Sequence, residues 1–472
     1  MPIEGQSSAK VEKLVFRMSR VTARLPFIVP KPTNPFSSTL LLTYGFAGLI
    51  ILGGGLLMLP ISSSSGHFTS PIDALFTANS AICVTGLAVV DTGNYWSPLG
   101  QGILLVLCQI GGLGFISAVT LLLLAINRRF GLKERLAVTE AIGVDQLGET
   151  IGIVVKIVIF SLVVEGIGTV IFYFGGLKAS GTAAPLWASI FHAVSAFNNC
   201  GFDILGGHTS FLGYQTNTAV LLGTAILVII GSTGYVVIAD LLSKRSFIKL
   251  SLDSKIVLVT TFLLLATGTL VFLSIEYSNS STLGALSFPH KLLVSFFQSV
   301  TPRTAGFAAI DIGSLRQSSL LFTMFLMMIG GGVGSTAGGI KVNTLGVLWI
   351  TIRSVMQGKT TINTFGRQIT QQTAYRAIAL FILYLGIIGI AVLILSLTEV
   401  FPIDRIFFEA FSALSNTGLT TGITPDLSAA GKLIIMATMF IGRLGPIALM
   451  VIIARRQQPT ILEYPREAVR LG

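Results

Sequence analysis

The residues Gly330–Lys341, GGGVGSTAGGIK, set six glycines around a Ser-Thr pair and end in a lysine. These are the parts of a loop that cradles phosphate, in which a Gly-Lys-Ser/Thr run brings ammonium and hydroxyl to one phosphate chain. The order fails that chemistry, because Ile340 separates Gly339 from Lys341 and the next hydroxyl is Thr344. The flanks fail it too: LLFTMFLMMI before and VNTLGVLWITI after are long apolar runs rather than a short strand and a soluble helix. A nucleotide site is set aside here, and the glycines need another explanation.

Other reactive constellations are missing. His67, His192, His208 and His290 have no metal-ligand spacing. Cys83, Cys108 and Cys200 are an odd number in apolar surroundings and make no disulfide framework. No nucleophile stands at a recognisable spacing from a base, so the chain reads as a protein that is not an enzyme.

A second glycine pattern does carry chemistry. Four segments align on one glycine: FTANSAICVTGL (Phe76–Leu87), FHAVSAFNNCGF (Phe191–Phe202), FFQSVTPRTAGF (Phe296–Phe307) and FEAFSALSNTGL (Phe408–Leu419). A phenylalanine stands ten residues before each glycine, and Leu or Phe follows it. Three of the four share Phe-x-Ala-x-Ser-Ala. The glycines, Gly86, Gly201, Gly306 and Gly418, recur about every 110 residues, which marks an internal repeat. Packing against lipid or neighbouring helices accounts for the phenylalanines but not for a glycine just past a half-length helix. Glycine permits positive φ. Four such backbone segments around an axis make a ring of carbonyl oxygens, which can replace the water of a dehydrated cation.

The surrounding elements must place that ring in a membrane. Of 472 residues 52% are hydrophobic and 11% charged, with a mean hydropathy of +0.83. Soluble domains carry roughly 25% charged residues. Apolar runs of membrane-spanning length occur near 40–62, 99–127, 150–175, 215–242, 253–276, 318–353, 374–399 and 430–454. Between the members of each pair lies a shorter segment, at 73–84, 187–199, 291–303 and 404–416, which can only enter and turn back. Basic residues gather on one side of these spans: Lys10–Lys31, Arg128–Arg135, Lys244–Lys255, Arg353–Arg376 and Arg455–Arg470. The other side has only Lys178, Lys291, Arg303, Arg316, Arg405 and Lys432. The positive-inside rule then puts both termini in the cytoplasm. The net charge of +11 is thus a topology signal, and without interleaved aromatics it does not point to nucleic acid. The short helices would enter from outside and aim their partly negative C-terminal ends at the membrane centre, which favours a cation.

At these residues the chain resembles the Trk/Ktr/HKT superfamily of potassium transporters, over nearly its whole length from about residue 39. STAGGIK in the third repeat and GRLGP in the fourth carry the resemblance with the four glycine segments, and the short N-terminus is most like the Ktr branch. The resemblance implies an all-α integral membrane protein with a pseudo-fourfold, potassium-channel-like pore. Each repeat is helix, pore helix, filter strand, helix. The repeats fall at 39–130, 148–245, 253–355 and 374–456, between a basic cytosolic segment, 1–38, and a cytosolic tail, 457–472. It places potassium on the backbone carbonyls of a filter made of Val84, Thr85, Gly86 and Leu87; Asn199, Cys200, Gly201 and Phe202; Thr304, Ala305, Gly306 and Phe307; and Asn416, Thr417, Gly418 and Leu419. Only the central glycine of the channel filter Thr-Val-Gly-Tyr-Gly recurs; plant relatives that carry sodium have serine where this chain has Gly86.

By the same resemblance the opening loop, 330–341, is an intramembrane gate beneath the filter, with Gly330, Gly331, Gly332, Gly334, Ser335, Thr336, Gly338, Gly339 and Lys341 in it and Arg443 beside it. Six glycines in ten residues oppose a helix at about 1 kcal/mol each, so a flexible backbone with no helix to pin it is expected, with Lys341 either bonding carbonyls to stabilise the closed form or orienting the helix that follows. Arg443 reads equally as a fixed charge that hinders cations or as a partner for a helix C-terminal carbonyl. The resemblance also implies a homodimer in the plasma membrane (the bacterial inner membrane), controlled by a cytosolic ring of nucleotide-binding, RCK-type, KtrA-like regulatory subunits. It implies no cofactor in this chain beyond the potassium ion, with sodium as activator or co-ion left open. The rival reading is a secondary transporter that couples potassium to sodium or protons as a symport. Asp91, Asp203 and Asp311 follow filter glycines and read as loop caps, or as acids that enrich cations. Asp73 and Asp404 read as helix N-caps, and Glu165 and Asp240 have no evident role.

Overall fold

The computed structural model describes residues 35–114, 150–178 and 184–445. The expected N-terminal segment up to residue 34, the basic loop Arg128–Arg135, the last part of the fourth repeat and the tail at 457–472 lie outside the described residues.

The described chain is helical apart from one small hairpin, and its helices come in four groups. The first is α1 (Pro35–Met58), α2 (Pro71–Ile82) and α3 (Pro98–Leu113). The second is α4 (Thr150–Phe174), α5 (Pro185–Phe197) and α6 (Thr218–Thr233), followed by α7 (Tyr235–Lys244). The third is α8 (Leu252–Glu276), α9 (Phe288–Val300) and α10 (Gln317–Met328), followed after a loop by α11 (Val342–Met356). The hairpin β1 (Ile362–Thr364) and β2 (Arg367–Ile369) leads to α12 (Gln371–Thr398), α13 (Ile403–Ser415) and α14 (Ala429–Leu444).

The first helix of each group has 24 to 28 residues, or roughly 36–42 Å at 1.5 Å per residue, which exceeds a hydrocarbon core of about 30 Å. Among the described residues α4, α8 and α12 are long and apolar enough to cross a membrane. The short helices α2, α5, α9 and α13 have 12 or 13 residues, too few to cross. Prolines at or next to the first position of α2, α3, α5 and α9 start those helices with φ already set.

The third helices differ from expectation. Continuous spans were expected over 99–127, 215–242 and 430–454, with an interruption in the third repeat alone. Instead α3, α6 and α14 each stop after 16 residues, at Gly114, Gly234 and Gly445, and the expected remainders 115–127 and 446–454 lie outside the described residues. These glycines share one conformation, with φ between 83° and 92° and ψ between 137° and 145°, which turns the chain out of the helix. The axis of α7 then lies 94° from that of α6. Asp240 near the end of α7 pairs with Lys244 at 2.6 Å and accepts from the Ser251 N–H and the Ser254 hydroxyl, fixing the turn into α8.

The four groups close on one another. Each short helix packs on the long helix before it, as α2 on α1, α5 on α4, α9 on α8 and α13 on α12. The third helix of each group touches the short helix of the next: α3 on α5, α6 on α9, α10 on α13, and α14 back on α2. The short helices are thereby largely enclosed, with Phe76, Phe191 and Phe408 fully buried.

Candidate functional site

The four glycine segments follow the buried ends of the short helices. Gly86, Gly201, Gly306 and Gly418 all have positive φ, between 72° and 90°. Two residues before each, Val84, Asn199, Thr304 and Asn416 are left-handed as well, with φ between 54° and 63°. Positive φ is uncommon for any side chain and an outlier for the β-branched Val84 and Thr304.

These glycines form a closed ring in chain order. A Cβ on Gly86 would lie within 3.0 Å of the Cys200 carbonyl oxygen, one on Gly201 within 3.0 Å of the Ala305 oxygen, one on Gly306 within 3.0 Å of the Thr417 oxygen, and one on Gly418 within 3.0 Å of the Thr85 oxygen. Each glycine thus touches the carbonyl that precedes the next glycine, and the fourth returns to the first. The backbone can approach this closely only without side chains.

Hydroxyls at the short-helix ends hold the ring, a role the sequence reading did not assign. Ser80 and Ser412 accept from the Gly86 and Gly418 N–H groups at 3.1 Å. Ser195 donates to the Phe202 carbonyl at 2.7 Å, and Thr301 to that of Phe307. The signal was the serine of the shared Phe-x-Ala-x-Ser-Ala pattern, six residues before its glycine. Leu87, Phe202, Phe307 and Leu419 are buried, and Phe307 stacks on Phe211 at 5.1 Å.

The loop 330–341 lies between the fourth segment of the ring and the C-terminal end of α6. Gly338 packs so closely on Ser415 and Asn416 that a Cβ would lie within 3.0 Å of both. On the other side the Thr336 N–H donates to the Gly231 carbonyl at 3.3 Å, and the Gly332 N–H to that of Ser232 at 2.8 Å. These acceptors are free because α6 stops there. Gly330 and Ile340 pair through backbone bonds at the loop's neck. Lys341 donates to its own loop at Ala337, 2.6 Å away. Arg443 donates to the Thr336 carbonyl at 2.6 Å and to Gly111 near the end of α3. Glycine here permits close packing, and the end of α6 adds anchors beyond those expected of Lys341 and Arg443. Gly231, Gly334, Thr336, Gly442 and Arg443 are among the residues that line a cavity of about 350 Å³ beside the loop. For Arg443 the pairing with a helix C-terminal carbonyl is observed.

Other expectations change. Asp91 and Asp311 do cap, accepting from Gly93 at 3.1 Å and Gly313 at 3.0 Å, while Asp203 accepts from Leu205. Asp73 is not an N-cap: it is the third residue of α2 and pairs with Lys432 at 2.8 Å. Asp404 is the second residue of α13, whose N-cap is Pro402. Arg303, counted with the few basic residues on the outer side of the spans, is 2% exposed, with its guanidinium 3.2 Å from the Thr261 hydroxyl. Position in sequence placed it outside; the turn after α9 carries it back inward. Glu165 is buried on α4 and accepts from Asn198, the C-cap of α5.

Closed helix groups, a backbone ring and a loop packed against it belong to a membrane transport protein rather than an enzyme, and the chain is a member of the TrkH family, described as cation transport protein, whose model matches residues 46–464. Among relatives, it is similar to the potassium/sodium uptake protein NtpJ of Enterococcus hirae, 41% identical over 438 residues, covering 92% of this chain and 96% of that one. It is also similar to the Ktr system potassium uptake protein B of Bacillus subtilis, 41% identical over 437 residues, covering 93% and 97%. The solved potassium transporter TrkH from Vibrio parahaemolyticus shares its fold, with a TM-score of 0.71 at 20% identity, over 94% of this chain and 90% of that one.

Proposed function

We propose that this chain takes up potassium across the plasma membrane through a channel-like pore, and that the ring of glycine segments is its selectivity filter. The observation that carries this reading is the closed order of the ring, each glycine against the carbonyl that precedes the next. The left-handed Val84 and Thr304 support it. Such backbone costs about 1–3 kcal/mol per residue and persists mainly at functional sites. Carbonyls so arranged replace a cation's water, and the negative ends of α2, α5, α9 and α13 add to the attraction. The names of the relatives, both potassium uptake proteins, support potassium as the ion. In this reading the four groups are repeats of helix, pore helix, filter strand and helix.

The loop 330–341 is then the gate in its closed position, latched by Arg443 and Lys341. The Ktr name of one relative supports a separate regulatory subunit. A cytosolic nucleotide-binding ring, a homodimer and cytoplasmic termini complete the reading. The potassium/sodium name of the other relative favours a second reading, in which sodium is a co-ion. Potassium uptake into liposomes holding the purified chain, with and without a sodium gradient, tests both. Uptake down the potassium gradient alone is expected; uptake that needs the sodium gradient selects the second reading, and none in either condition sinks both.

A further inference from the structure

We infer that Glu409 positions the outer end of the fourth filter segment and thereby sets cation preference; this rests on the filter reading above. Each short helix has one residue directly after its aligned phenylalanine: Thr77, His192, Phe297 and Glu409. All four are buried. Thr77 and His192 bond within their own helices, to the carbonyls of Asp73 and Ala188. Phe297 has no polar group. Glu409 alone reaches across to the chain beyond the ring.

Its carboxylate takes the Thr420 hydroxyl on Oε1, and the Thr424 hydroxyl lies 3.2 Å from Oε2. Thr424 is also 2.8 Å from the Thr420 oxygen, which in turn accepts the Gly422 N–H at 3.0 Å. One buried acid therefore roots the whole turn from Thr420 to Thr424, which begins two residues after Gly418.

The other segments explain why this acid is needed. Five residues past its glycine, the first has Asp91, which accepts the Gly93 N–H of its own turn and the Gly207 N–H of the chain after the second segment, and the third has Asp311, which accepts the Gly313 N–H of its own turn. The second has Asp203, two residues past Gly201, doing the same with Leu205. The fourth has Ile423 five residues past Gly418 and no carboxylate from Thr420 to Pro425. The missing acid is supplied from the short helix behind. Both carboxylate oxygens are taken by threonine hydroxyls beyond the ring, so Glu409 acts through the Thr417–Leu419 backbone that it steadies.

The experiment compares Glu409→Ala, Glu409→Gln and the pair Thr420→Val/Thr424→Val in liposomes. It measures the potassium-over-sodium preference of uptake by competition, alongside thermal melting of the purified protein. Glu409→Ala is expected to lower the preference at least tenfold. Glu409→Gln, which keeps an oxygen for Thr420, is expected to lower it less. The threonine pair is expected to match Glu409→Ala, and combining all three changes to add nothing. A folded Glu409→Ala protein that melts lower yet keeps the wild-type preference overturns the inference and leaves the acid merely structural. If Glu409→Ala does not fold, the threonine pair decides, and an unchanged preference there overturns it too. Wild-type protein with no potassium preference would instead sink the filter reading.

Discussion

Gly86→Ser tests the ring at one point. A serine Cβ at Gly86 would lie closer than 3.0 Å to the Cys200 carbonyl oxygen and about 3.0 Å from the Gly201 backbone. Ordinary contacts are near 3.4 Å or more, and the atoms pressed are backbone, which cannot swing aside as a side chain can. Either the first segment retreats or the Cys200 carbonyl turns. The residue must also hold φ near 90°, where an L side chain costs roughly 1–2 kcal/mol. If about 1.4 kcal/mol of that disturbance falls on potassium binding and not on sodium binding, the preference drops tenfold. Competition between the two ions for uptake in liposomes reads this directly. Gly102→Ser is the control, since a Cβ there has nothing within 4 Å, and it should keep wild-type preference. A folded Gly86→Ser protein as selective as the control refutes the placement of Gly86 in the filter.

Three further outcomes are expected. Arg443→Gln removes two donors from the Thr336 and Gly111 carbonyls; losing even one charge-assisted bond, about 1.5–3 kcal/mol, should raise uptake severalfold and weaken its dependence on a regulator, whereas unchanged, fully regulated flux makes Arg443 structural. Ser412→Ala leaves the buried Gly418 N–H without its acceptor, at a cost of about 1–3 kcal/mol, so melting temperature and potassium preference should fall together; a preference that holds while the protein melts earlier separates the serine from the filter. Asp203, half-buried by area, has its carboxyl pushed up to about 6 by burial, against the Leu205 hydrogen bond and with help from Asp91. It is therefore neutral below that pH and charged above, so uptake should decline as external pH falls through about 6, and Asp203→Asn should flatten that limb; an Asn variant with the same pH profile contradicts the assignment.

Much of this was legible because it rests on features that chemistry forces into sequence. A backbone ring needs glycine where segments touch, so Gly86, Gly201, Gly306 and Gly418 recur in register. Half-length helices show as apolar runs too short to span. The helix ends at Gly114, Gly234 and Gly445 were missed because one glycine inside an apolar run looks like any helix-packing glycine. A clue was present: Gly111, Gly231 and Gly442 each stand three residues earlier, and a Cβ on any of them would press on a carbonyl at the end of a short helix. Arg303 was misplaced because loop charges were counted by position, and burial is a property of the fold. The anchoring of the loop 330–341 to Gly231 and Ser232 was invisible for the same reason, since these partners are about a hundred residues distant.

The central claim is that the ring holds a dehydrated potassium ion. Diffraction from crystals of the protein grown in rubidium or thallium, with anomalous signal collected, tests it most directly. The expected result is a peak on the ring axis, within coordination distance of the Thr85, Cys200, Ala305 and Thr417 carbonyls, that potassium displaces and sodium does not. Rubidium bound elsewhere along the transport path, with nothing between the four glycines, contradicts the claim.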